Sequence, residues 1–481
     1  MGFYDDCDAL GLAERVRKGE VRAEELLEEA CRRVEALNPQ LNAVVYRREQ
    51  AALREVEAGL PEGPLQGVPF LIKDLHSHIA GEPLTYGSRF LRGFVSDHDS
   101  ELTVRQRRAG LVIFGRTTSP EFGITTTTES ALFGQTRNPW DPSRSTGGSS
   151  GGAAAVVAAG IIPAAHATDG GGSIRIPASC CGVFGLKPTR ARNPMGPTQG
   201  EGWSGMSCAH AITRSVRDSA ALLDATAGPD VGDPYCAPPL ERAFQAEAGA
   251  APDRLRVALQ TRAFNGAEVH PECVAAAANA ARICEELGHH VEEAELGIDA
   301  GRLADATRVI AASNLRFALE ERARALGREL TADDVEPVTW IIAQAAAQAT
   351  AVDYARSIST LHATGRAAGR FFERWDVLLT PTLPQPPPPL GALSLTTTDL
   401  GGFLERLASM TGFTQLFNAS GHPAMSVPLH WSPEGLPIGV QFAARFGDEA
   451  TLFRLGAQLE SARPWCDRRP PLQSRSAAPR Q

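Results

Sequence analysis

Two glycine–serine runs constrain this chain more than any other feature. The first is Gly147-Gly-Ser-Ser-Gly-Gly152 and the second is Asp169-Gly-Gly-Gly-Ser-Ile-Arg-Ile-Pro177, with an apolar, Ala-rich stretch between them. Glycine permits unusual backbone angles and lets N–H groups approach a bound atom closely. Two chemistries use such runs. One is a phosphate-binding loop, where backbone N–H groups cradle an anion. It is weakened here because the Lys-Ser/Thr of a P-loop and the G-x-G-x-x-G spacing are both missing. The other is acyl transfer, in which a serine nucleophile needs a base and N–H donors aimed at a developing oxyanion. Gly170, Gly171 and Gly172 place such donors immediately before Ser173.

A base is harder to find. Ser173 does not stand in a G-x-S-x-G elbow, and His166, seven residues before it, reads more simply as a packed or turn residue. The other candidate is Lys73, which follows the apolar run Val68–Ile72 and directly precedes Asp74. A lysine at the edge of a buried sheet can be neutral near pH 7, because desolvation disfavours the ammonium. Its plain alternative is a surface lysine paired with Asp74, and sequence spacing alone does not bring residue 73 to residue 173.

The rest of the chain indicates an α/β protein. Helical periodicity over Ala9–Leu37 stops at Asn38-Pro39, and short β-like runs follow at Val68–Ile72 and Leu111–Phe114, with a helix-like stretch from Asp99 to Ala109. Residues 268–375 read as helical, Pro381–Pro389 as a stiff surface connection, and Ala424–Val427 and Ile438–Phe442 as a return to strands. The expectation is one large domain over residues 1–470, with a central twisted mixed sheet covered by helices on both faces. Within it lie a catalytic core (about 60–225), a helical insertion on the substrate side (about 230–410), and a C-terminal return to the sheet (about 420–465). Residues 471–481 are expected to be a disordered tail. With 481 residues the core needs no disulfides or metals.

Further motifs turn this outline into a resemblance. Gly67-Val-Pro-Phe-Leu-Ile-Lys-Asp74, Phe133-Gly-Gln-Thr-Arg-Asn-Pro-Trp-Asp141, Cys181-Gly-Val-Phe-Gly-Leu-Lys-Pro-Thr189, Arg214-Ser-Val-Arg-Asp218 and Gly435-Leu-Pro-Ile-Gly-Val-Gln441 accompany the two glycine runs in order. Together they resemble the amidase signature family, and within it most of all the aminohexanoate cyclic-dimer (nylon oligomer) hydrolases. The resemblance implies a Ser-cisSer-Lys triad. Ser173 would be the acylated nucleophile, Ser149 the bridging serine after a cis peptide bond, and Lys73 the base. The N–H groups of Gly170, Gly171, Gly172 and Ser173 would hold the oxyanion. Asp169, Arg175 and Ser150 would support the site, and Gly123 and Thr125 would line the acyl pocket, in a threonine run expected to be exposed. No metal or cofactor is implied. One departure is His210-Ala-Ile-Thr213 where relatives often carry Gly-Pro, and the lysine box ends Lys-Asp-Leu, not the Lys-Asp-Asn common in amidotransferase subunits.

The expected function is hydrolysis of a carbon–nitrogen bond in a small neutral amide, oligoamide, anilide or carbamate. The alternatives are a glutamine-dependent amidotransferase A-type subunit acting with partners on aminoacyl-tRNA, and a non-catalytic relative. A net charge of −9 (47 basic, 56 acidic) speaks against a general nucleic-acid binder. No apolar stretch is long enough to span a membrane. The partners expected are therefore a small molecule and, at most, a second copy in a homodimer. Nine scattered cysteines without a C-x-x-C pair fit idle thiols in the cytoplasm, with Cys180 and Cys181 as buried packing. Trp340, Ile341, Ile342 and Phe413 are candidates for an apolar mouth.

Overall fold

The computed structural model describes residues 2–472. Its strands are β1 (Val44–Arg47), β2 (Pro69–Lys73), β3 (Val112–Thr117), a short hairpin of β4 (Glu129–Ser130) and β5 (Gly134–Gln135), β6 (Ala164–Asp169), β7 (Phe184–Lys187) and β8 (Cys208–Thr213). They continue with β9 (Arg256–Leu259), β10 (His290–Glu293), β11 (Val377–Pro381), β12 (Ala424–Trp431) and β13 (Pro437–Ala444). All but the hairpin join one 11-stranded sheet in the order β1-β3-β2-β6-β8-β7-β12-β13-β11-β9-β10. Pairing is parallel for β2 with β3 and β6, and antiparallel for β6–β8, β7–β12 and β12–β13. The expected mixed α/β sheet is thus present.

Alternation along the strands distributes the core to both faces. Leu71 joins a cluster with Leu27, Ala30, Phe114 and the helix Gly151–Ala158, while its neighbours Phe70 and Ile72 join another with Leu26, Ala221 and Leu222. The same occurs at the far end. Val377 and Leu379 pack with Met425, Phe442 and the helix Pro271–Glu286, whereas Leu378 packs with Leu361, Phe372 and Phe417. Each fully buried side chain of this size contributes about 1.5–3 kcal/mol relative to exposure.

Several local expectations need correction. The first helical pattern splits into helices Ala9–Arg17 and Ala23–Leu41, with Gly19 at φ +69° between them. Pro39 lies inside the second helix, because a helix two residues from its end has little left to break. The 230–410 region is not purely helical, since it also supplies β9, β10 and β11. Four-residue strands such as the polar edge His290-Val-Glu-Glu293 carry almost no alternation signal. Pro381–Pro389 is not a free surface connection. Pro381 ends a buried strand, Pro388 accepts from the Ser145 N–H at 2.8 Å, and Pro387 accepts from Arg144. Leu472 packs against the core, and residues 473–481 of the expected tail lie outside the described residues. No helix among the described residues is long and apolar enough to cross a membrane.

Candidate active site

The site forms where β2 and β6 end beside the start of the helix Gly151–Ala158. That helix is buried along its whole length, and close packing explains its glycines. A Cβ on Gly151 would lie 2.2 Å from Thr146 Oγ1, and one on Gly152 2.4 Å from Thr118 Oγ1. The N–H groups of Gly147 and Gly151 are taken by the hydroxyls of Ser145 and Thr128. This first run is therefore packing and not an anion cradle. The Gly148–Ser149 peptide bond is cis.

Lys73 ends β2 and is fully buried. Its Nζ donates to Ser149 Oγ at 2.7 Å, Ser150 Oγ at 2.9 Å and Thr168 Oγ1 at 2.9 Å, and no carboxylate among the described residues lies within ion-pair distance. Desolvation lowers its pKa to about 7, with the more distant Asp169 carboxylate opposing the shift. Asp74 does not pair with it. The Asp74 side chain accepts instead from Thr85 N–H at 3.0 Å and from the Thr85 hydroxyl. His166 is a packed residue: its Nδ1 accepts from the Lys73 N–H at 3.3 Å, and burial lowers its pKa to about 3.

Asp169 ends β6 and is held by Arg175, both fully buried. Arg175 Nε and Nη2 meet the two carboxylate oxygens at 3.0 and 2.9 Å. The remaining guanidinium N–H groups go to Thr414 O, Gln441 Oε1 and Asn418 Oδ1, at 2.9, 2.8 and 2.7 Å, so all five are used. Burial alone would raise the Asp169 pKa. The charge and hydrogen bonds of Arg175, with Asn418, more than offset it and hold the carboxyl well below its ordinary range.

This brace sets the loop that carries Ser173. The Gly171–Gly172 peptide is pinned on both edges, its C=O accepting from Thr414 Oγ1 at 2.7 Å and its N–H donating to Asp169 Oδ1 at 2.7 Å. The neighbouring carbonyls of Asp169 and Gly172 accept from Asn418 Nδ2 and from Ile176 N–H. Because trans peptides point C=O and N–H oppositely, the N–H groups of Gly170 and Ser173 face the other way. Those of Gly170, Gly171 and Ser173 make no hydrogen bond among the described residues. Gly172 therefore leaves the expected set of oxyanion donors, since Asp169 already takes its N–H. Exposure rises outward along the three side chains: Lys73 has none, Ser149 2% and Ser173 8%.

Two further expectations change. Gly123 sits beside Ser149, for a Cβ there would be 3.3 Å from Ser149 Oγ. Thr125, however, is buried and its hydroxyl donates to Leu393 O at 3.2 Å, so the threonine run is not an exposed wall. Phe413 is likewise fully buried, against Phe264, and so cannot line a mouth. Cys180 and Cys181 are buried with raised pKa values, caused first by desolvation. Sequence reasoning missed Thr168, Thr414, Asn418 and Gln441. Thr168 had a signal, being adjacent to Asp169. Thr414 and Asn418 lie some 240 residues from Arg175 in sequence without a motif of their own, and Gln441, which ends the Gly435–Gln441 motif, had been given no role in the site.

Comparison with known proteins agrees with this geometry. The amidase family matches residues 25–453. A 6-aminohexanoate-cyclic-dimer hydrolase of Paenarthrobacter ureafaciens is 42% identical over 97% of this chain and 96% of its own. A solved structure of 6-aminohexanoate cyclic dimer hydrolase superposes with a TM-score of 0.92, at 40% identity, covering 97% of this chain and 98% of that one. A bacterial aryl acylamidase of the amidase signature family follows with a TM-score of 0.86 at 30% identity, covering 95% and 96%. With the match running nearly end to end and the lysine–serine cluster at its centre, the chain belongs to the amidase family of hydrolases.

Proposed function

We propose that the chain hydrolyses the amide bond of a small neutral substrate through an acyl-enzyme on Ser173, with Ser149 and Lys73 carrying the proton. One observation carries the reading: a buried lysine whose Nζ is 2.7 Å from the Ser149 hydroxyl and has no carboxylate partner. An amine with a pKa near 7 is a competent base at neutral pH. Ser173 Oγ attacks the carbonyl carbon, its proton passes to Ser149 Oγ, and the Ser149 proton passes to Lys73 Nζ. The oxyanion accepts from the free N–H groups of Gly170, Gly171 and Ser173. Each such donor is typically worth about 2.7–4 kcal/mol. The C–N bond then breaks as the proton returns along the same route to the leaving nitrogen. Water attacks the ester, restores the Ser173 hydroxyl and releases the acid. Asp169 and Arg175 hold the loop in place and exchange no proton.

The substrate class proposed is an uncharged oligoamide, cyclic or linear, with anilides and aryl carbamates as further carbonyl substrates. Its support is the near full-length similarity to a cyclic-dimer hydrolase and to an aryl acylamidase. Nine free thiols are in keeping with a cytoplasmic enzyme. The test is a panel of aminohexanoate cyclic dimer and linear oligomers, nitroanilides and aryl carbamates, run with wild type, Ser173→Ala and Lys73→Ala. Turnover of at least one class by wild type, lost in both variants, is the expected result. Undiminished activity of Lys73→Ala at neutral pH would end the proton route. Glutaminase activity with a co-purifying partner, and none on simple amides, would favour the amidotransferase reading instead.

A further inference from the structure

We infer that one water, held in a small cavity behind Lys73, fixes the direction of the hydrogen bonds around that lysine and makes Thr168 a positioning residue that only accepts from Nζ. The inference rests on Lys73 being the base of the proposed reaction, and it follows from counting protons.

A neutral Nζ has one lone pair and two N–H bonds, yet three hydroxyls lie within 2.9 Å of it. For Ser149 to hand over its proton, the lone pair must face Ser149 Oγ. Ser150 and Thr168 must then both accept. Ser150 can do so because its own proton is committed to the Thr168 carbonyl at 3.1 Å. The Thr168 hydroxyl proton has no acceptor among the described residues. Unless something takes it, Thr168 can turn and donate to Nζ, occupying the lone pair that the reaction needs.

The cavity supplies the acceptor. It measures about 30 Å³ and is lined by Thr168, His166, His98, Leu102, Met195 and Ala209, among others. That is the space open to the centre of a water-sized sphere, enough to admit a water, which when buried typically makes about three hydrogen bonds. Two buried imidazole nitrogens on this lining, His166 Nε2 and His98 Nε2, have no hydrogen-bond partner among the described residues. Their tautomers follow from what their other nitrogens do. His166 Nδ1 accepts from the Lys73 N–H and faces Ser77 Oγ at 2.9 Å, so its proton sits on Nε2, a donor. His98 Nδ1 lies 2.6 Å from Asp97 Oδ1 and donates to it, so Nε2 is an acceptor. Thr168 and His166 would donate to the water and His98 would accept from it. No His, Cys, Asp and Glu grouping among the described residues could hold a metal ion, which leaves water as the fitting occupant.

The ionisable groups acting on Lys73 are Asp169, His166 and His76. Desolvation first, then neighbouring cations, keeps both rings neutral at working pH, with pKa values of about 3 and 4. The Asp169 carboxylate stays ionised, so none of the three titrates with Lys73.

The test fills the cavity from its far wall. Ala209→Val should lower kcat about tenfold, since Thr168 then donates to Nζ and the lone pair must be freed. It should also move the acid limb of the kcat/KM profile to lower pH, because that donation stabilises the neutral amine. A role in folding alone would not move the limb. Thr168→Ser should keep the acid limb at its wild-type pH, because a serine hydroxyl can accept from Nζ in the same way. In a Thr168→Val background, Ala209→Val should add nothing, as no hydroxyl remains to misdirect. An unchanged profile for Ala209→Val, or additive effects of the two valines, overturns the inference. Should Ala209→Val fail to fold, a high-resolution crystal structure of the wild type decides: a water bonded to Thr168 Oγ1, His166 Nε2 and His98 Nε2 supports it, and a dry cavity ends it. Failure of the base reading shows separately, as activity retained by Lys73→Ala.

Discussion

Lys73, at the end of β2, and Arg175, at the start of the helix Arg175–Cys181, are both basic side chains with no exposed surface, and they do opposite things. Arg175 spends all five N–H groups on a carboxylate and three neutral acceptors. Its charge is compensated and its geometry fixed. Lys73 is surrounded by hydroxyls and has only a distant carboxylate, so burial is met by loss of the charge itself. A buried cation with a counter-ion holds structure, whereas one without it becomes a base.

The largest effect that could break this contrast is on turnover. Lys73→Met should lower kcat/KM by roughly 10⁴-fold, comparable to removing one member of a serine triad. Its thermal unfolding temperature should hold or rise, because a desolvated amine is gone. A fall would place Lys73 with Arg175 as structural. Arg175→Met should instead leave Asp169 buried without its counter-ion and cost about 3–5 kcal/mol in denaturant unfolding. Retained stability would show the brace to be dispensable.

The pH profile sharpens the same contrast. The base must be unprotonated, so kcat/KM should be level above pH 7 and fall tenfold per unit below a midpoint of about 7. An acid limb near 4 would point to a carboxylate. A smaller effect is expected from Gly123→Ala. At φ +68° the added Cβ would lie 2.8 Å from Leu75 Cδ2 and 3.3 Å from Ser149 Oγ, costing about 1–3 kcal/mol and lowering kcat. The smallest belongs to Thr125→Val, which removes the bond to Leu393 O and should cost about 1 kcal/mol with KM unchanged. A raised KM would return Thr125 to the substrate wall.

The candidate triad was legible through the family resemblance, because each side chain sits in a motif of its own, although packing against distant residues constrains some of the glycines there, Gly152 by Thr118 and Gly172 by Thr414. Residue order along β2, β3, β12 and β13 was legible because long buried strands read as continuous apolar runs. What escaped was set by distant partners. Thr414 and Asn418 look ordinary in sequence and matter only because Arg175 and Gly171 meet them. Thr125 looked like a polar wall because a threonine run says nothing about which carbonyl lies opposite. The strands β9 and β10 escaped because four residues are too few to show a pattern, and β10, at the edge, has one open side besides.

The sheet order also bears on biosynthesis. β12 and β13 come near the end of the chain but stand in the middle of the sheet, between β7 and β11. A nascent chain will have released Lys73, Ser149 and Ser173 from the ribosome well before the segment holding Thr414, Asn418 and Gln441 is made. Until then Arg175 lacks three of its acceptors, and the glycine loop lacks the pins that aim its N–H groups. Hydrolytic competence should therefore arrive late and all at once, with the C-terminal segment acting as keystone. Such an arrangement would keep a half-made polypeptide from presenting Ser173 in an aimed loop, and it would let a separately supplied C-terminal fragment switch on a truncated one.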